Sequence, residues 1–292
     1  MTAQPSRRRG LPACGADLLL RIREVHAQAL ASGALQPIPT RCESLRAGGV
    51  DYVLRVVESL RRKPPPGAAQ GNPFLPYEPA LYVAHLPPRH VLLLNKFNVI
   101  EPHLLAVTEA YEPQSALLGV DDFAAALALL QRLDGLVFYN GGRIAGASQP
   151  HKHLQWVPSE LLPGRPDLPV EAAVMRALAD GSARAGLPFM HAVASLAPGA
   201  GAALLQQRYR ALLKAAGVPT GDGVSENYNL LLTRRWMMVV PRRVESSEGI
   251  SVNALGFAGA LLVRDEAQAA RVRAVGPEAI LAAVSAAAQP AG

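Results

Sequence analysis

Between residues 81 and 108 three short apolar runs, LYVAHL, VLLLNKF and HLLAVT, are separated by Pro87-Pro88 and by Glu101-Pro102. Apolar runs this short, bounded by prolines, read as strands. Their close spacing fits an antiparallel meander, because parallel neighbours need a long crossover between them. The chain is therefore committed to a sheet early, and the remaining elements have to cover it.

They read as follows. Residues 15–32 carry an amphipathic helical pattern ending near Gly33, and YVLRVV (52–57) reads as a strand. The stretch 60–79 is rich in Pro and Gly and reads as a long surface loop. Asp121 or Asp122 is placed to cap a helix that stops at Gly135, and LVFYN (136–140) is a further strand. Residues 159–220 look helical and alanine-rich, broken by Pro and Gly. YNLLLT and WMMVVP form two strands with Arg234 and Arg235 at their turn, and 251–290 suggests two or three helices. The expected class is α+β: one antiparallel sheet with packed helices, a helical insertion and C-terminal helices. We expect a single domain over 1–292. In it 1–160 carries the core and motif, 161–220 is the insertion, and 221–292 completes the sheet.

GASQPHKHLQWVP (146–158) carries the chemistry. The chain has 7 histidines, and two of them stand here one residue apart, with a glutamine at the same spacing. Side chains on a strand alternate faces, so His151, His153 and Gln155 share one face while Lys152, Leu154 and Trp156 take the other. The preceding NGGRIAG run supplies Gly141, Gly142 and Gly146. Glycines let backbone N–H groups turn toward one point and cradle an anion, with Ser148 and Gln149 adding donors. A neutral imidazole attacks phosphorus well, and a carboxamide can donate to an oxygen where charge accumulates. H-x-H also suits a metal site, but a third ligand is needed and no Cys or acidic cluster follows; two histidines with no role are the bland alternative.

Composition narrows the partners. Half the residues are apolar and 18% charged, which is globular. No apolar run approaches the roughly 18 residues of a membrane span, and no secretory signal is visible. Two distant cysteines, Cys14 and Cys42, argue against a disulfide framework or a cysteine zinc site and fit a cytoplasmic protein. A net charge of +6 suits a polyanion. With no nucleic-acid-binding motif in view, a small molecule bearing several phosphates is favoured over nucleic acid.

Six strings together, SLRRKP (59–64), NPFLP (72–76), LLLNKFNVIEPHLLAVT (92–108), VFYNGGRIAGASQPHKHLQ (137–155), NYNLLLTRRWMMVVPR (227–242) and GISVNALGFAGALLV (249–263), resemble the ATP adenylyltransferases. These are also called diadenosine tetraphosphate phosphorylases and belong to the histidine-triad superfamily. Galactose-1-phosphate uridylyltransferases share H-x-H-x-Q and are the nearest look-alike. The resemblance implies phosphorolysis of diadenosine tetraphosphate to ATP and ADP through a covalent adenylyl-histidine. It implies His153 as nucleophile, with His151 and Gln155 as its catalytic partners. Gln155 stands where the ordinary triad has a third histidine, which suits a transferase better than a hydrolase. Substrate contacts are implied at Lys63, Asn95, Lys96, Asn140, Gly146, Ala147, Ser148, Gln149, Asn229 and Arg234. Lys152 points away by alternation and is left out. His85, His90 and His103 read as surface or satisfied core residues, with His103 kept as a distant participant. A divalent cation, expected to be Mg, should travel with the substrate. No protein metal site is expected, and the oligomeric state is left open.

Overall fold

The computed structural model describes residues 9–58, 71–182, 185–221, 223–225 and 227–286. The chain opens with α1 (Gly15–Ala31), then a hairpin of β1 (Thr40–Ala47) and β2 (Val50–Val57). The meander follows as β3 (Tyr82–Leu86), β4 (His90–Leu94) and β5 (Leu104–Thr108), then α2 (Val120–Leu130), β6 (Leu136–Gly141) and the motif strand β7 (His153–Val157). Next come α3 (Glu171–Ala179), β8 (Ala192–Ser195), α4 (Ala202–Ala215) and a small ribbon of β9 (Thr220–Gly221) with β10 (Val224–Ser225). The last part holds β11 (Tyr228–Leu232), β12 (Trp236–Pro241), a second ribbon of β13 (Ser246–Ser247) with β14 (Ile250–Ser251), α5 (Ala254–Phe257), β15 (Ala260–Val263), α6 (Glu266–Val275) and α7 (Pro277–Val284).

Eight strands form the main sheet in the order β3-β4-β5-β7-β6-β11-β12-β8, antiparallel throughout. The fold is mixed α+β, as the strand and helix pattern implied. Both halves of the sequence share this one sheet.

The period-two pattern gives the sheet two unlike faces. On one, Leu104, Ala106, Val137, Tyr139, Leu154 and Trp156 pack against α1, α2 and α4 through residues such as Ile22, Phe123 and Tyr209. On the other, two separate apolar clusters form. Val91, Leu93, Leu105 and Val107 gather around Phe74 at one end. Phe138, Leu231, Met238 and Val240 meet Val53, Phe257 and Leu281 at the other. The motif strand runs along the seam, where Gln155 is paired with Leu105 on one side and Phe138 on the other. Buried polar side chains, among them His153 and Asn140, occupy this seam between the two clusters.

β1, β8 and β15, and the two-residue strands β9, β10, β13 and β14, depart from the sequence pattern. β1, β2 and β15 make a second, three-stranded sheet, with β15 parallel to β2. β1 (TRCESLRA) is a half-exposed edge strand, so its charged residues hide the pattern. β8 lies inside the expected helical insertion and β15 inside the expected helical tail. Both are alanine-containing runs of 4 residues, too short to carry a period of their own. α2 starts one residue before Asp121, and Asp122 caps it by accepting the Gly119 N–H at 2.7 Å.

Candidate active site

His153 is 4% exposed and its tautomer is set by the backbone. Nδ1 lies 2.8 Å from the His151 carbonyl, which only accepts, so Nδ1 carries the hydrogen and Nε2 keeps a bare lone pair. Nε2 makes no hydrogen bond among the described residues. Burial pushes the ring pKa down to about 4, against the opposing pull of the His151 carbonyl and with a small further push from the His151 ring. The imidazole is thus neutral at physiological pH, as a nucleophile must be.

His151 is fully buried, and both of its ring nitrogens are occupied. Asn72 Nδ2 donates to Nδ1 at 2.9 Å, so Nε2 bears the hydrogen and donates to the Thr108 carbonyl at 2.9 Å. With no free nitrogen, His151 contributes through its carbonyl, which fixes the tautomer of His153; the ring itself is committed to Asn72 and Thr108. Phe74 packs against both rings, at 5.7 and 5.4 Å between centroids.

Gln155 is oriented by a relay. Asn95 Nδ2 faces His103 Nδ1 at 3.1 Å, which makes Nδ1 the acceptor; His103 Nε2–H then donates to Gln155 Oε1 at 2.9 Å. With its oxygen tied back, the glutamine presents Nε2 and its two hydrogens. Asn140 is built alike. Its Oδ1 accepts from Asn229 Nδ2 at 2.8 Å and from the Ala254 N–H at 3.0 Å, leaving its own amide nitrogen unpaired among the described residues. Two carboxamide donors on the same face as His153 suit a phosphoryl group.

A pH test follows. Burial also pushes His103 down to about 4, against its bond to Gln155. Unfolded, both rings titrate near 6.5. Between about pH 6.5 and 4 the unfolded chain therefore takes up protons that the folded chain refuses. Stability is intact above 6.5 and falls as pH drops toward 4. The rate of the first chemical step should stay level down to about pH 5.5 and fall with a midpoint near 4. Rapid-quench single turnovers across pH, paired with Tm, check this; a midpoint near 6.5 contradicts a buried neutral nucleophile.

The glycine loop differs from the open cradle the sequence suggested. The N–H groups of Gly142, Ala145, Gly146 and Ala147 are spent on carbonyls of the loop itself or of Asn140. Those left without a hydrogen bond among the described residues include Ser148 and Gln149, whose side chains are likewise uncommitted. Gly146 has φ +90°, and a Cβ there would come within 2.9 Å of Val252 O, so the loop depends on a glycine at this point. An alanine would carry roughly 1–2 kcal/mol of backbone strain before that clash is counted.

The other expected contacts are spread more widely. Asn229 is fully buried: Nδ2 serves Asn140 and the Ala145 carbonyl, and Oδ1 accepts from Arg242 Nη1 at 2.8 Å. It reaches the site through Asn140, not by direct contact. Asn95 likewise acts through His103. Lys96 is half-exposed and paired with Glu78 at 2.8 Å, which a phosphate would have to displace. Arg234 is not brought to the motif. It sits beyond the far end of β11, bonded to the Leu130 carbonyl, and lines a cleft of about 390 Å³ against α2 and residues 196–200. Lys63 lies outside the described residues. Lys152 does point to the helical face, where Asp122, the Leu117 carbonyl and Glu112 take its ammonium at 2.6, 3.0 and 3.2 Å.

Asn72 and Gln114 also hold the site, and the sequence carries no signal for either role. Asn72 stands inside the NPFLP string, and Gln114 directly follows Glu112-Pro113; a polar residue beside a proline gives no periodic signal. No group of three or more His, Cys, Asp or Glu among the described residues could hold a metal ion. Among them no helix is long and apolar enough to cross a membrane.

A seam-mounted imidazole with one bare nitrogen, on a central antiparallel sheet, is the arrangement of a histidine-triad-like nucleotidyltransferase. Comparison with known proteins narrows the class. Residues 11–176 match the Ap4A phosphorylase N-terminal domain, and 185–287 match the ATP adenylyltransferase C-terminal domain. The chain belongs to the Ap4A phosphorylase (ATP adenylyltransferase) family, Ap4A being diadenosine tetraphosphate. Protein APA1 of Saccharomyces cerevisiae is 28% identical over 282 residues, covering 86% of this chain and 88% of its own. Diadenosine 5',5'''-P1,P4-tetraphosphate phosphorylase 2 of the same yeast is 33% identical over 207 residues, covering 60% and 62%. The crystal structure of yeast Ap4A phosphorylase Apa2 in complex with AMP superposes with a TM-score of 0.75 at 25% identity, covering 91% of this chain and 94% of that one.

Proposed function

We propose that this chain cleaves diadenosine tetraphosphate with inorganic phosphate, giving ATP and ADP, through an adenylyl group carried on His153. The family and its yeast members support the activity. The observation that carries the mechanism is the bare, neutral Nε2 of His153, held by the His151 carbonyl.

The steps balance. Nε2 attacks the phosphorus that bears one adenosine; an N–P bond forms, the P–O bond to the rest of the chain breaks, and ATP leaves. A phosphate oxygen then attacks the same phosphorus; the N–P bond breaks, ADP leaves, and His153 returns neutral. The Nδ1 proton stays hydrogen-bonded to the His151 carbonyl throughout, stabilising the charge that the ring gains on N-phosphorylation. Gln155 Nε2, Asn140 Nδ2 and the donors of Ser148 and Gln149 hold the non-bridging oxygens as they accumulate charge. Mg would enter as part of the polyphosphate substrate, because four phosphates carry more charge than the few nearby cations balance. A cytoplasmic setting fits these substrates.

Incubation with diadenosine tetraphosphate, with and without phosphate, tests the reading. ATP and ADP in equal amounts, formed only when phosphate is present, are expected. ATP and AMP formed equally fast without phosphate would mean a hydrolase.

A further inference from the structure

The two strands that carry the site stop pairing just before they reach it. β6 and β7 are joined at Leu136↔Val157, Val137↔Trp156 and Phe138↔Gln155. The same register would next join Tyr139 to Leu154 and Asn140 to His153. Both strands run on, β6 against β11 as far as Gly141 and β7 against β5 as far as His153, but no longer against each other.

The side chain of Gln114, 3% exposed, fills the place of the missing bonds. Its Oε1 accepts the His153 N–H at 2.8 Å, while its Nε2 donates to the carbonyls of Asn140 at 3.0 Å and His153 at 3.2 Å. A carboxamide offers the same donor and acceptor as a peptide group, so it satisfies both strand edges. The residue is itself pinned from both sides: its N–H donates to the Pro150 carbonyl at 2.7 Å, and its carbonyl accepts from the Tyr139 hydroxyl at 2.5 Å.

We propose that Gln114 is a positioning residue, an inserted amide that holds Asn140 and His153 apart so that a phosphoryl group fits between their side chains. Directly paired residues would stand only about 4.5–5.5 Å apart at Cα, too close for a phosphoryl group flanked by two side chains aimed at it. Gln114 meets no substrate; it acts through the two residues it separates. The inference rests on the adenylyl-transfer reading of the site.

Two variants test it, by single-turnover adenylylation with diadenosine tetraphosphate from about pH 8 to 6, together with KM and Tm. Gln114→Leu removes all three bonds and lets the strands close. The rate should fall roughly 100-fold, the scale of a displacement of about 1 Å at a reacting centre, with KM changed less than about threefold. Gln114→Glu keeps the shape. Ionised, it turns a carboxylate on two carbonyls; protonated, it still accepts the His153 N–H and donates its single hydrogen to one of the two carbonyls. Burial favours the protonated acid, so its deficit relative to the native enzyme should shrink as pH falls, while the leucine deficit stays constant. A merely structural role would lower Tm in both without that pH signature. A leucine variant within about threefold of the native rate overturns the proposal, as does a glutamate deficit that ignores pH. Should Gln114→Leu not fold, the glutamate comparison decides alone. A native enzyme that forms no adenylyl-histidine overturns both this inference and the function beneath it.

Discussion

His153→Ala is expected to abolish phosphorolysis, lowering kcat by about 10⁴-fold or more, as removal of a covalent nucleophile does elsewhere. In the proposed mechanism the ring is the group that bonds to phosphorus, and neither neighbouring histidine is placed to take over. His151 has both nitrogens committed, and His103 is spent on Asn95 and Gln155. AMP affinity should change far less, since Asn140, Ser148, Gln149 and Gln155 remain. Steady-state turnover beside calorimetric AMP binding checks this. A variant that keeps even a hundredth of the native rate would require another nucleophile or direct attack by phosphate.

Gln155→Ala has the next largest effect. Its Nε2 is the donor that the Asn95–His103 relay aims outward, and loss of one such donor costs on the order of 100- to 1,000-fold in turnover. The loss should fall on kcat, because the donor matters most when the oxygens carry extra charge. The adenylyl-enzyme should still form, more slowly, since His153 is oriented without Gln155. Gln155→Ala at full rate contradicts the assigned role and leaves the relay as packing.

The parts of this site visible in sequence were those with a period. Alternation along 151–157 was enough to put His153 and Gln155 on one face and Lys152 on the other. The glycines at 142 and 146 marked a loop correctly but gave the wrong picture of its amides, because self-bonding within a turn leaves no trace in residue spacing. Asn229 and Arg234 look equivalent in a strand-turn-strand string. Only the sheet register shows that one adjoins Asn140 and the other stands beyond the opposite end of the same strand. Gln114 and Asn72 were out of reach for a related reason. Gln114 meets the His153 backbone 39 residues away and Asn72 the His151 ring 79 residues away, and such contacts are decided by topology, not by local pattern. Of the strands missed, β9, β10, β13 and β14 are two residues long, and β1, β8 and β15 are short or half-exposed. Pairing holds β8 and β15 against strands far away in sequence, and β1 against a neighbour that is itself anchored by β15.

The most direct measurement is the location of the adenylyl group. The enzyme is incubated with diadenosine tetraphosphate in the absence of phosphate, quenched in alkali, digested, and read by mass spectrometry. One AMP adduct on His153 is predicted, stable to alkali, labile to acid, and discharged as ADP when phosphate is added before the quench. Turnover with no adduct, or with an adduct on any other side chain, would contradict it.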